Sequence, residues 1–119
     1  MGNVIVDKSF KFAVKIVRLA KEVRNTHEYE LAKQLLRCGT SIGANVAEAQ
    51  RGQSRKDFLA KIYIAAKEAN ETEYWIRLLY DSGIISEEIF RDAYKDIDEI
   101  IRIITSIVKT TEEKTRKGF

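Results

Sequence analysis

No proline occurs anywhere in the 119 residues of this chain, and that absence constrains the fold more than any other feature. Proline inside a helix costs about 3 kcal/mol, because it removes an i→i−4 hydrogen bond and clashes with the preceding turn. A chain without it permits long uninterrupted helices. Apolar residues recur at the 3.6-residue period that such helices need. Four segments follow the period, at about 8–24, 28–50, 54–81 and 86–110, with a basic tail at 111–119. Short turns between long helices imply antiparallel neighbours, so the expected fold is all-α, a single-domain antiparallel up-down-up-down four-helix bundle.

The first segment has Asp7 as an N-cap candidate and an apolar arc of Phe10, Ala13, Val14, Val17 and Ala20, widened by Phe12, Ile16, Leu19 and Val23. Lys8, Lys11, Lys15 and Arg18 share its other side. The second carries Leu31, Leu35, Cys38, Ile42, Val46 and Ala49 on one stripe. Its middle holds Gly39 and Gly43, each costing about 1 kcal/mol against alanine. The helix either breaks at Gly39 or continues, with Gly39, Gly43 and Ala47 as a smooth seam for a close neighbour. The unbroken phase of the stripe favours continuation.

Ser54 and Asp57 resemble a capping box at the start of the third segment. Phe58, Ile62, Ala65, Ala69, Thr72, Ile76 and Leu79 form its main face, Leu59, Tyr63 and Ala66 a second, and Ile64, Trp75 and Leu78 a third. A helix apolar on nearly all sides is buried on nearly all sides. One bundle does not do that for every helix, so the third face is a candidate oligomer interface. Gly83 suits a C-cap. Ser86, followed by Glu87 and Glu88, opens a fourth helix that is apolar over half its circumference.

Chemistry has little to build on. One histidine, His27, and one cysteine, Cys38, are too few for a zinc site, which wants three or four such ligands. No Glu-x-x-His pair signals a carboxylate di-metal site. No metal, cofactor or catalytic residue is expected. Glu68 and Glu71 could be paired acid/base carboxylates. The structural reading is an interhelical network with Arg37, Ser41, Asn45 and Glu48, in which Arg37 and Asn45 answer the two carboxylates.

Charge is more informative. The net charge is +3, and its positive part lies at the two ends of the chain. Residues 1–24 hold six Lys/Arg against two Asp/Glu, and residues 109–119 hold four against two, while the stretch between is acidic. Lys8, Lys11, Lys15 and Arg18 on the first helix, and Arg51, Arg55 and Lys56 at the second turn, are candidate contacts for a phosphate backbone. No aromatic-interleaved motif for reading bases is present. No apolar run reaches a signal peptide or the roughly 20 residues of a membrane span. The expected setting is cytoplasmic, without membrane contact.

Several ordered stretches carry a resemblance. They are Glu30-Leu31-Ala32-Lys33-Gln34-Leu35-Leu36-Arg37, Thr40-Ser41-Ile42-Gly43-Ala44-Asn45-Val46-Ala47-Glu48-Ala49, Ser54-Arg55-Lys56-Asp57-Phe58 and Lys67-Glu68-Ala69-Asn70-Glu71-Thr72-Glu73-Tyr74-Trp75-Ile76, with Phe12-Ala13-Val14-Lys15-Ile16 before them. Over roughly Phe10 to Ile85 the chain resembles the four-helix bundle proteins encoded by intervening sequences of bacterial 23S rRNA genes. That family includes relatives of the accessory variability determinant of diversity-generating retroelements. The resemblance implies a ring-like homopentamer without enzymatic activity. In the accessory-determinant branch it implies binding of nucleic acid and a reverse transcriptase through a basic surface. Family resemblance does not select a branch. Two functions therefore stand: a homo-oligomeric bundle that binds structured RNA or a ribonucleoprotein, and a protein adaptor without nucleic acid.

Overall fold

In a computed structural model describing residues 3–118, four helices fold into one bundle: α1 Val4–Asn25, α2 Tyr29–Ala49, α3 Arg55–Asp81 and α4 Glu87–Arg116. Each helix packs on the next, and α1 also meets α4, so the helices sit at the corners of a square with α1 and α3 on one diagonal. The bundle is a rod of 51 × 21 × 21 Å. Its interior is aliphatic, with Ile16, Leu35, Ile42, Ile62, Ile76, Leu79, Ile97, Ile100 and Ile104 essentially removed from water.

The helix ends follow local chemistry. Ser54 Oγ accepts from the Asp57 N–H at 3.0 Å and Ser86 Oγ from the Ile89 N–H at 3.2 Å, each satisfying an orphan donor of a first turn. Gly83 closes α3 at φ +75°, a left-handed conformation that only glycine adopts cheaply. α2 runs unbroken through Gly39 and Gly43. The reason is proximity: a Cβ at Gly43 would stand 3.1 Å from the Ser9 carbonyl oxygen on α1.

Three expectations are corrected. Asp7 does not cap α1, which starts at Val4 and buries Ile5 and Ser9; Asp7 pairs with Lys11 instead. The buried arc of α1 is Phe12, Ile16, Leu19, Ala20 and Val23; of the expected arc Ala20 is buried, whereas Phe10, Val14 and Val17 face outward. An apolar band wider than half the helix has two possible phases, and packing against α2 and α4 chooses between them. Finally, α4 continues to Arg116 rather than fraying after Thr110. Tyr63 of α3 donates to the Glu112 carboxylate and ties the extension down, and Lys114 and Arg116 in the last turn complement the helix dipole.

Candidate nucleic-acid interface

Up-down topology decides which charges meet. α1 starts, α2 ends, α3 starts and α4 ends at the same end of the rod. The two basic chain ends therefore converge there, around the turn between α2 and α3. Arg51 and Lys56 are exposed and Arg55 half-buried. Among the described residues none of the three lies in an ion pair, and neither do Lys109, Lys114 and Arg116 of α4. Six unpaired cations thus surround one end. The carboxylates close by are Asp7, Glu48, Asp57, Glu112 and Glu113, and Asp7, Glu48 and Glu113 are engaged by lysines. Lys109, Lys114 and Arg116 were not singled out as candidates from the sequence. The signal was the excess positive charge at both chain ends; what it lacked was the topology that superposes them.

The basic face of α1 is different. Lys8 Nζ lies 3.2 Å from Glu99 Oε2, and Lys15 Nζ lies 3.0 Å from Asp92 Oδ2 and 2.5 Å from Asp96 Oδ2, all three carboxylates on α4. Lys11 pairs with Asp7. The hydrogen bond that Lys15 donates to Asp96, more than those to Asp92, holds its ammonium above its ordinary pKa. Lys8 and Lys15 bridge a seam where α1 and α4 leave shallow depressions of about 460 and 210 Å³. Arg18 lines the larger one beside Glu22, Glu88 and Asp92. The α1 row is thus largely answered by carboxylates, and its field at a distance is small.

The polar groups between α2 and α3 form a local cluster. Arg37 Nη1 is 3.3 Å from Glu68 Oε1, and its Nη2 pairs with Glu71. Trp75 Nε1 donates to Glu71 Oε2 at 3.2 Å. The Trp75 bond first, and Arg37 second, hold the Glu71 carboxyl below its usual range. That environment favours the ionised form and opposes proton donation. Asn45 does not answer these carboxylates. Its Nδ2 donates to the Ser41 carbonyl at 2.9 Å, Ser41 Oγ donates to the Arg37 carbonyl at 2.7 Å, and Glu48 pairs with Lys61. Amides and hydroxyls four residues along a helix bond backward at little entropic cost.

Of the third face of α3, Ile64 is exposed, whereas Trp75 and Leu78 are half-buried. Cys38 is fully buried on the core stripe, and burial raises its thiol pKa. Among the described residues no His/Cys/Asp/Glu group is arranged to hold a metal, and no helix is long and apolar enough to cross a membrane.

Comparison with known proteins agrees with the four-helix fold. The family model described as 23S rRNA-intervening sequence protein matches residues 2–106. A crystal structure of a protein of unknown function from the S23 ribosomal protein family of Bacteroides thetaiotaomicron is 50% identical, over 89% of this chain and 99% of that one, with a TM-score of 0.87. No curated protein matches the chain.

Proposed function

The chain belongs to the 23S rRNA-intervening sequence protein family, and on that premise we propose that it is a non-enzymatic, self-associating bundle whose basic end binds the backbone of structured RNA or of a ribonucleoprotein. The observation that carries this reading is the convergence of Arg51, Arg55, Lys56, Lys109, Lys114 and Arg116, unpaired, on one end of the rod. Unpaired surface cations release counterions from a phosphate backbone, and that release supplies most of the sequence-independent affinity. Self-association would repeat the basic end and raise avidity without new contacts. Lys8, Lys11, Lys15 and Arg18 would contribute less, since α4 and Asp7 already answer most of their charge.

The second reading, an adaptor that docks a protein and no nucleic acid, draws on the apolar side chains left exposed on α1 and α2. One experiment separates the two. Protein purified at low salt is sized by light-scattering chromatography with absorbance at 260 and 280 nm. A multimer carrying nucleic acid, shed at high salt, supports the RNA-binding reading. A multimer free of nucleic acid that also fails to retain added structured RNA supports the adaptor.

A further inference from the structure

At the end of the rod away from the basic cluster, α1 finishes and α2 begins. There the two helices enclose a depression of about 580 Å³. It is larger than either depression between α1 and α4 and within the range that holds a small ligand. Buried Ala20 and Ala32 leave the space, and exposed Leu36 and Tyr29 flank it. Lys21, Arg24 and Lys33 line it together with one carboxylate, Glu30. Among the described residues none of these three cations lies in an ion pair. Glu28 in the adjoining turn adds a second carboxylate, while Glu22 lines a depression between α1 and α4 instead. The local balance stays positive.

Tyr29 says what kind of anion fits. Its ring is 55% exposed, yet it is held on two sides. Arg24 Cζ lies over the ring, 5.8 Å from its centroid. The His27 ring meets it edge-on, with Nδ1 2.9 Å from the Tyr29 hydroxyl oxygen. His27 reaches that position from a left-handed backbone, φ +70°, which is uncommon outside glycine. Strain of this kind persists where the surroundings over-determine it, and it gathers at binding sites. A half-exposed ring that is already ordered offers its π-face to a planar ligand at low entropic cost. A flexible acyl anion would be poorly covered in a depression this shallow, whereas a flat ring needs only one face covered.

From these observations we propose that the depression is a nucleoside monophosphate site. The base stacks beside Tyr29 over Ala20, Ala32 and Leu36, and the phosphate lies among Lys21, Arg24 and Lys33. The chemistry is the same for a free nucleotide and for one unstacked unit of a single strand. Stacking on an aromatic ring tolerates any base, so no base preference is expected. The site lies at the opposite end of a 51 Å rod from Arg51, Arg55 and Lys56, and it stands or falls apart from the reading of that basic end.

The test titrates the whole chain, by calorimetry, with adenosine monophosphate, adenosine, inorganic phosphate and a single-stranded oligoadenylate of about six nucleotides. Wild type is expected to bind the monophosphate more tightly than adenosine or phosphate. Arg24→Gln and Lys33→Gln should each weaken that binding about tenfold, as loss of a charged hydrogen bond does. Tyr29→Ala should weaken it about fivefold or more, and Tyr29→Phe, which keeps the ring, should restore most of it. All these positions are exposed, and circular dichroism checks that each variant is folded. Arg51→Glu should leave the affinity unchanged. An oligoadenylate that binds far more tightly than the monophosphate, still through Tyr29, supports a strand as the source; equal affinity supports a free nucleotide. Phosphate binding as tightly as the monophosphate, or monophosphate binding that Tyr29→Ala leaves unchanged, would overturn the assignment in favour of a plain anion site. Monophosphate binding lost in Arg51→Glu would move the nucleotide to the basic end and overturn this site. Absence of binding by both the monophosphate and the oligoadenylate would overturn it too, whatever the basic end does with structured RNA.

Discussion

A Cβ built on Gly39 would stand 2.7 Å from Ile16 Cγ2, closer than any real Cβ contact. Gly39 therefore packs directly against α1, on a core isoleucine that is 1% exposed. An interior glycine lowers intrinsic helix stability by about 1 kcal/mol against alanine. Here close packing offsets that loss.

Gly39→Ala tests the balance. Alanine should gain helix propensity yet force Ile16 or the two helices apart, and overpacking of this kind costs about 1–3 kcal/mol. The expected result is a lower urea midpoint with an unchanged slope. At Ala44, which is exposed on the same helix, Ala44→Gly should cost only the propensity difference of about 1 kcal/mol.

The same residues show where the sequence was legible. The four helices could be read because proline is absent and the period is long; the phase of α2 pointed through Gly39, and Ser54 and Ser86 marked two helix starts. The buried side of α1 could not be read, since Phe10, Val14 and Val17 are as apolar as Phe12, Ile16 and Leu19. Only the neighbours α2 and α4 decide between the two sets. The basic end was half visible: Arg51, Arg55 and Lys56 stood out as a cluster, but the pairing of Lys8 and Lys15 with α4 depends on contacts more than 70 residues apart in the chain.

Alkaline pH should weaken the bundle through groups held above their ordinary pKa. Lys15 is raised chiefly by its hydrogen bond to Asp96, Tyr63 by Glu112 and Tyr94 by Glu73. The folded chain keeps these protons where the unfolded chain has lost them. The stability they contribute is complete below about pH 10 and falls as pH rises through the folded values. Lys15→Met should flatten part of that decline. At neutral pH it should cost less than about 1 kcal/mol, because the pairs are solvent-screened. Urea midpoints measured across the alkaline range check both.

Acid should act through Glu71. Its pKa is held down first by the Trp75 N–H and then by Arg37. Its contribution is present above the ordinary carboxylate pKa of about 4.3 and is lost as pH falls through the lower folded value. Glu71→Gln should remove that part of the acid transition. Trp75 is the single tryptophan, so its fluorescence should titrate in the wild type and stay flat in the variant while circular dichroism holds.

Charge reversal separates the two basic surfaces. Arg51→Glu, Arg55→Glu and Lys56→Glu together break none of the ion pairs described and should leave thermal stability nearly unchanged. If these three contact phosphates, the slope of log K against log salt should shrink by about two to three units on an RNA duplex or hairpin. Lys11→Glu, Lys15→Glu and Arg18→Glu together place new carboxylates beside Asp7, Asp92 and Asp96 and should destabilise the bundle. Their effect on binding should be smaller at matched folded fraction. Equal losses for the two triples would return the α1 face to the candidate site.

The most direct measurement is the affinity of the wild-type protein for a labelled structured RNA, by fluorescence anisotropy, at salt concentrations from about 50 to 200 mM. Binding is expected at the low end, weakening linearly in log K against log salt, with a shallower line for the Arg51/Arg55/Lys56 reversal. No binding at the lowest salt, or binding whose salt slope the reversal leaves unchanged, would contradict it.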